Sequence, residues 1–324
     1  MSRFAGIALA VLSLFATVAA ATAETYPSRT ITIIVPFPAG GPTDTTAREV
    51  ANALSQKFKQ SVIVENVTGG GTIIATTKVA RANPDGYTLL VHNIQISANV
   101  TLFKKLPFDT EKDLAPVMLI NKNPLILAGR KSLPANNLAE LLALMKKQTL
   151  RNALPGVGTA AHLTMSLFTQ AAHVSVDHIP YRGAAPAMTD VLGEHVDLLM
   201  ATPQSIVPQV AAGQLKAYGI TAKEKSPQLP TAESLVTALG PKFDIVYWQA
   251  MFAPAGTPEP VIKTLNAALQ EAVSDPALVE KWKTEGFDPF PKDQRSPEKA
   301  RAFFESEVAS WGEVIRDNNI QLNQ

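Results

Sequence analysis

Residues 34–48, IVPFPAGGPTDTTAR, constrain this chain more than any other stretch, because they join an apolar strand to an amphipathic helix through a turn rich in free backbone N–H groups. Ile31–Val35 is rich in β-branched residues and is ended by Pro36, the pattern of a short buried strand. Ala47, Val50, Ala51, Leu54 and Phe58 then recur at helical spacing and give one apolar face. Between them, Ala39-Gly40-Gly41 carries no bulky side chain, so a ligand oxygen can approach the main chain where a helix N-terminus supplies partial positive charge. Such a turn binds anions; two glycines that merely turn the chain are the competing reading.

Arg3 precedes an apolar run over residues 4–18, short for a membrane span, and Ala21-Thr22-Ala23 has the small-x-small form of a secretory cleavage site. Residues 1–23 therefore read as a signal peptide cleaved after Ala23, and a released periplasmic protein is expected. The chain has no cysteine, which removes a lipobox, disulfides and a thiol nucleophile. Of 29 Lys and Arg only Arg3 falls in the signal segment, so the mature chain balances its 28 Asp and Glu. With neither a basic run nor an acidic tail, nucleic acid and anionic membranes are poor partners, and attraction for an anion must come from local dipoles or a few placed donors.

Strand-like and helix-like runs alternate along the rest, which predicts α/β lobes with largely parallel sheets. Strands are expected over 31–35, 62–65 and 89–91, with helices after Asp44 and over 72–82. Two apolar runs flank Asn121-Lys122-Asn123-Pro124, read as a crossover. A second set follows, with a helix over 138–147 begun by the capping box Asn137 and Glu140, a helix over 160–172, and strands near 176–179, 197–200 and 217–221. Two more donor-rich turns, residues 155–159 and 180–186, feed helices. The helical C-terminal part is expected to pack back on the first lobe. The expectation is a two-lobed α/β fold with a mainly parallel sheet in each lobe and a cleft between. Residues 24–122 with 247–324 would form one lobe and 123–246 the other, joined near 121–125 and 244–250.

Taken together, these stretches resemble the periplasmic receptors of tripartite tricarboxylate transporters, the Bug proteins. The resemblance rests on YPSRTITIIVPFPAGGPTDTTAR (26–48), PDGYTLL (84–90), LPFDTEKDLAPV (106–117), HIPYRGAAPAMTDVLGEHVD (178–197) and FAPAGTP (252–258), in the family's order over nearly the whole mature chain. It implies a clamshell that binds a small carboxylate and hands it to membrane permease subunits, acting as a monomer with no cofactor. On this sequence it implies that backbone N–H groups of Phe37-Pro38-Ala39-Gly40-Gly41 and of Gly183-Ala184-Ala185-Pro186 hold the carboxylate, often completed by water, with Thr159 as a side-chain donor. Asp44 would orient the first loop's amides or accept from a ligand amine or bridging water; a helix N-cap is its alternative role.

The side chains that choose the ligand should lie beyond this clamp. Relatives carry an arginine in the run that here reads Val67-Thr68-Gly69-Gly70-Gly71-Thr72, so a second acidic group need not be recognised there. Asn93 and Gln95 are candidate distal contacts, with loop polarity as the alternative; Gln204, Tyr247 and Trp248 are weaker ones. His162, at a helix start, is placed in a structural or amide-orienting role. The other four histidines, His92, His173, His178 and His195, show no zinc spacing, and the chain has no Gly-x-Ser-x-Gly, His-Glu-x-x-His or Walker A run. No catalytic machinery is visible, and a periplasmic hydrolase, isomerase or ligand sensor on the same scaffold is the alternative. The ligand itself, an aliphatic or an aromatic dicarboxylate such as terephthalate, stays open.

Overall fold

The computed structural model describes residues 25–320; the expected signal segment lies outside them. The first sheet collects β1 (Ile31–Val35), β2 (Val62–Asn66), β3 (Thr88–Asn93) and β4 (Leu114–Pro124), with α1 (Pro42–Phe58), α2 (Ile73–Ala80) and α3 (Gln95–Leu102) between them. The chain then enters a second sheet as β5 (Ile126–Arg130) and continues through α4 (Leu138–Met145), β6 (Leu150–Leu154), α5 (Ala160–Ala172), β7 (Val176–Pro180) and α6 (Ala184–Leu192). It goes on through β8 (Leu198–Ala201), α7 (Pro203–Ala211), β9 (Leu215–Ile220), β10 (Glu233–Ser234) and α8 (Leu235–Leu239). It returns to the first sheet as β11 (Val246–Pro254) and ends with α9 (Glu259–Ala272), α10 (Pro276–Thr284), β12 (Asp288–Pro289) and α11 (Pro297–Asp317).

The spatial orders are β12-β4-β11-β3-β1-β2 and β10-β9-β5-β8-β6-β7, a two-lobed α/β fold. Both sheets are mixed, with two of five strand pairs parallel in the first and three of five in the second. β1 runs parallel to β2 and β3, and β6 parallel to β7 and β8, but the passing strands β5 and β11 lie antiparallel to both neighbours. A strand that arrives from the other lobe enters without a crossover helix to reverse it, so it docks antiparallel.

One residue ties the two passages together. Thr221 donates its hydroxyl to Ile245 O at 2.7 Å, accepts from Leu125 N at 2.8 Å, and sends its own N–H to Leu125 O at 2.9 Å. The C-terminal α11 lies against α3 and β4 of the first sheet. There Trp248, fully buried, meets Phe303 and Phe304 edge to face, and its indole N–H donates to Glu307 at 2.7 Å. Trp248 is therefore a core residue.

Candidate functional site

Among the helices that start at the carboxyl ends of parallel strands are α1 after β1, α5 after β6, α6 after β7 and α7 after β8. Ligands of open α/β sheets bind at that end, where helix N-termini project unpaired N–H groups. All four ends contribute to one cavity of about 130 Å³ between the sheets. Gly41, Pro42 and Thr43 come from α1, Thr159, Ala160 and Ala161 from α5, Gly183 to Pro186 from α6, and Thr202 and Ser205 from α7. Phe37, Leu125, Met188, Leu199 and Met200 supply apolar wall. An apolar cavity of roughly 150 Å³ accommodates benzene, so the space suits a ligand of that order. Among the described residues no acidic side chain lines it, and Arg182 is the only cationic one that does.

The two expected clamp loops face each other across this space. A Cβ built on Gly183, whose φ is +116°, would stand 3.0 Å from Pro38 Cγ. Phe37, Pro38, Ala39, Gly41, Gly183, Ala184, Ala185 and Pro186 all line the cavity, and Gly40 does not. The Gly40 N–H is taken by Asp44 Oδ2 at 2.9 Å, and the Gly183 N–H by Pro155 O at 3.0 Å, so neither is free for a ligand. Pro38 and Pro186 have no N–H to give. The loops' available donors are thus the amides of Ala39 and Gly41, and of Ala184 and Ala185, joined by that of Thr43 in the first turn of α1.

Asp44 is not the N-cap of α1; that position belongs to Gly41, and Asp44 sits in the first turn. It is buried, accepts from Gly40 N and Arg48 Nε through Oδ2, and accepts from Asn66 Nδ2 at 2.8 Å through Oδ1. Burial pushes its carboxyl up, but the hydrogen bonds from Arg48, Gly40 and Asn66 outweigh this and hold it below the usual range. An ionised Asp44 therefore fixes the loop from behind. Its oxygens do not line the cavity, so contact with a ligand amine is not supported.

Beneath α1 lies a cluster of three polar groups. Asn93 Nδ2 donates to Thr43 Oγ1 at 3.1 Å and to Tyr247 Oη at 3.0 Å, and those two oxygens are 3.1 Å apart. Both amide hydrogens of Asn93 are used, and one hydroxyl donates to the other. One hydroxyl proton remains, and Thr43, Asn93 and Tyr247 all line the cavity. Burial pushes the Tyr247 phenol up to about 12, so it stays a neutral donor.

Several expectations are corrected by these contacts. Thr159 caps α5: its hydroxyl donates to Gly156 O at 2.8 Å and accepts from His162 N, so it is no spare side-chain donor although it lines the cavity. His162 does not line the cavity; its Nδ1 accepts from Gly158 N at 3.1 Å, in the amide-orienting position. Gln204 points away and donates to Glu285 of the other lobe at 2.8 Å. Gln95 is buried, with Nε2 3.4 Å from Gly71 O, and faces a second, more open groove formed with Gly69, Gly70, Gly71 and Arg182. Neither Asn93 nor Gln95 is loop polarity, since both are buried at the end of β3 and the start of α3. Thr43, Ala160, Ala161, Thr202 and Ser205 escaped the sequence reasoning.

Burial drives the His92 imidazole down to about 3, against a raising effect from its hydrogen bond with Asn93. Burial, then His178, takes His162 to about 4. A histidine whose pKa is lower in the folded chain stabilises it above the unfolded value and loses that contribution as pH falls towards the folded one. Acidification from pH 7 to 4.5 is expected to cost roughly 2–3 kcal/mol through a buried histidine like His92. Glu307, raised by burial, opposes this in part. Urea unfolding across pH 4–8 reads the sign: midpoints that rise on acidification would contradict it.

Residues 46–320 match the family described as the tripartite tricarboxylate transporter family receptor. A structure described as the periplasmic binding protein BugD is 34% identical, covers 91% of this chain and 99% of its own, and superposes with a TM-score of 0.86. MatC from Rhodopseudomonas palustris with bound malate is 33% identical over 90% of this chain and all of its own, with a TM-score of 0.84. An R. palustris protein with adipate is 28% identical over 91% of this chain and 99% of its own, with a TM-score of 0.85.

Proposed function

Because the chain belongs to the tripartite tricarboxylate transporter receptor family, whose solved members are periplasmic binding proteins and not enzymes, we propose that it captures a small organic carboxylate in the cavity between its lobes and delivers it to that transporter's membrane permease. On this reading residues 1–23 are the export signal, removed after Ala23. The observation that supports it best is the convergence of four helix N-termini on a cavity that no acidic side chain among the described residues lines. Each end carries a partial positive charge and unpaired N–H groups, so the site attracts an anion without a cluster of lysines.

A micromolar dissociation constant needs about 8 kcal/mol, and a hydrogen bond to a charged group contributes roughly 1.5–3 kcal/mol. Four or five such donors suffice only when they are already placed, because ordering loops costs free energy. Asp44, locked to Gly40, Arg48 and Asn66, supplies that order on the first loop. Relatives with bound malate and adipate make aliphatic diacids the first compounds to try, with aromatic ones beside them. Closure on the ligand changes the surface shown to the permease, so binding is also the signal.

Titration calorimetry with linear mono- and dicarboxylates, aromatic dicarboxylates and acidic amino acids, followed by mass analysis of the recovered compound, tests the reading. One equivalent bound and returned unchanged is expected. A chemically altered compound, or no binding across the panel, would contradict it.

A further inference from the structure

We propose that the open groove beside the cavity is the vestibule through which the anion enters, and that Arg182, which lines both spaces, is a positioning residue that draws the carboxylate to the clamp without forming part of its final seat. The inference rests on the carboxylate reading above and adds how the anion reaches the clamp.

Two spaces meet at the clamp loops. The cavity holds about 130 Å³ and the groove outside it about 590 Å³, and both are lined by Phe37, Pro38, Thr159, Arg182 and Gly183. The close approach of Pro38 to Gly183 therefore belongs to the partition between them, and parting that one contact joins the two. Beyond the partition the groove is walled by both lobes, with Gly69, Gly70 and Gly71 from the first and Gly156 and Val157 from the second. Its first wall is bare main chain by necessity at Gly71, where φ is +61° and a Cβ would stand 2.8 Å from Phe103 Cζ.

Arg182 is the one charged side chain among the described residues that lines either space. Its main chain is held on both sides, with Tyr181 N donating to Leu154 O at 2.8 Å and Gly183 N to Pro155 O at 3.0 Å. Its side chain is exposed and makes no hydrogen bond or ion pair with another described residue. Asp190 of α6 accepts from the Tyr181 hydroxyl at 2.6 Å and does not pair with it. A permanent cation is thus fixed at the junction by its backbone and left unneutralised. The 29 basic and 28 acidic side chains of the chain give almost no net attraction. The partial charges of helix ends fade within a turn, whereas a full charge acts over about 8 Å at physiological salt. An exposed charge at the rim of a site changes how fast a charged partner arrives more than how firmly it is finally held.

Binding of malate, adipate and the other acids of the panel to wild type, Arg182→Gln and Arg182→Lys tests this. Calorimetry gives the dissociation constant, chase of radiolabelled acid by unlabelled acid gives the dissociation rate, and their ratio gives the association rate. At low salt Arg182→Gln should associate about three- to tenfold more slowly than wild type and dissociate within about twofold of it. Arg182→Lys, which keeps the charge but not the planar fork, should associate within about twofold of wild type. At about 1 M salt the difference between Arg182→Gln and wild type should disappear. Melting of the ligand-free variants should match wild type within about 2 °C, since the side chain holds nothing. An unchanged association rate in Arg182→Gln, a loss that appears chiefly as faster dissociation, or one that survives high salt would overturn the inference while the receptor reading stands; no binding of any acid of the panel to wild type would sink both.

Discussion

Replacing Ala184 with proline is expected to weaken carboxylate binding by roughly ten- to a hundredfold while leaving the melting temperature within about 3 °C of wild type. Ala184 is the first residue of α6, where proline's fixed φ suits the helix and the lost N–H has no partner within it. Gly183 before it is extended in ψ, at 175°, as a residue preceding proline prefers. The substitution therefore deletes one amide aimed at the ligand and little else. A hydrogen bond to a charged acceptor accounts for the size of the loss. Calorimetry and a thermal melt on the same samples separate the two quantities. Unchanged affinity in a folded protein would remove α6 from the site.

A larger loss, a hundredfold or more, is expected from Gly183→Val, for two separable reasons. At φ +116° a side chain strains the backbone by about 1–3 kcal/mol, whether the lobes are apart or together. A Cβ there also stands 3.0 Å from Pro38 Cγ on the facing loop, a clash that exists only when the lobes meet. The strain lowers stability; the clash lowers affinity. Pro38→Ala removes the nearest atom of that contact, so adding it to Gly183→Val should recover part of the affinity and none of the stability. A double-mutant cycle with no coupling in binding would show that the loops do not close on one another.

How far the sequence spoke differs by element. The run from Ile31 to Phe58 was legible because β-branched residues, a glycine turn and a 3.6-residue period lie next to one another in the chain. α7 was overlooked, since Thr202-Pro203-Gln204-Ser205 carries no glycine; a threonine followed by proline is nevertheless a helix-start signal and could have found it. α3 escaped because its polar residues are buried and its apolar face is weak, so Asn93 and Gln95 read as candidate distal contacts, with loop polarity as the alternative, and not as the start of a helix. Strand direction has no local signature, which is why the antiparallel β5 and β11 were not foreseen. The polar cluster was invisible for a related reason: Thr43 and Tyr247 meet across 204 positions of sequence. Which amides are free is likewise a tertiary fact. Gly40 looked like a donor until Asp44 was seen to hold it.

The measurement that bears most directly on the whole account is a crystal structure with the tightest-binding carboxylate of the panel, read for the distances from its oxygens to main-chain nitrogens. One carboxylate within about 3.2 Å of amides from both the α1 and α6 ends is the predicted result. A carboxylate paired chiefly with the Arg182 guanidinium, or seated outside the space between the two loops, would contradict it.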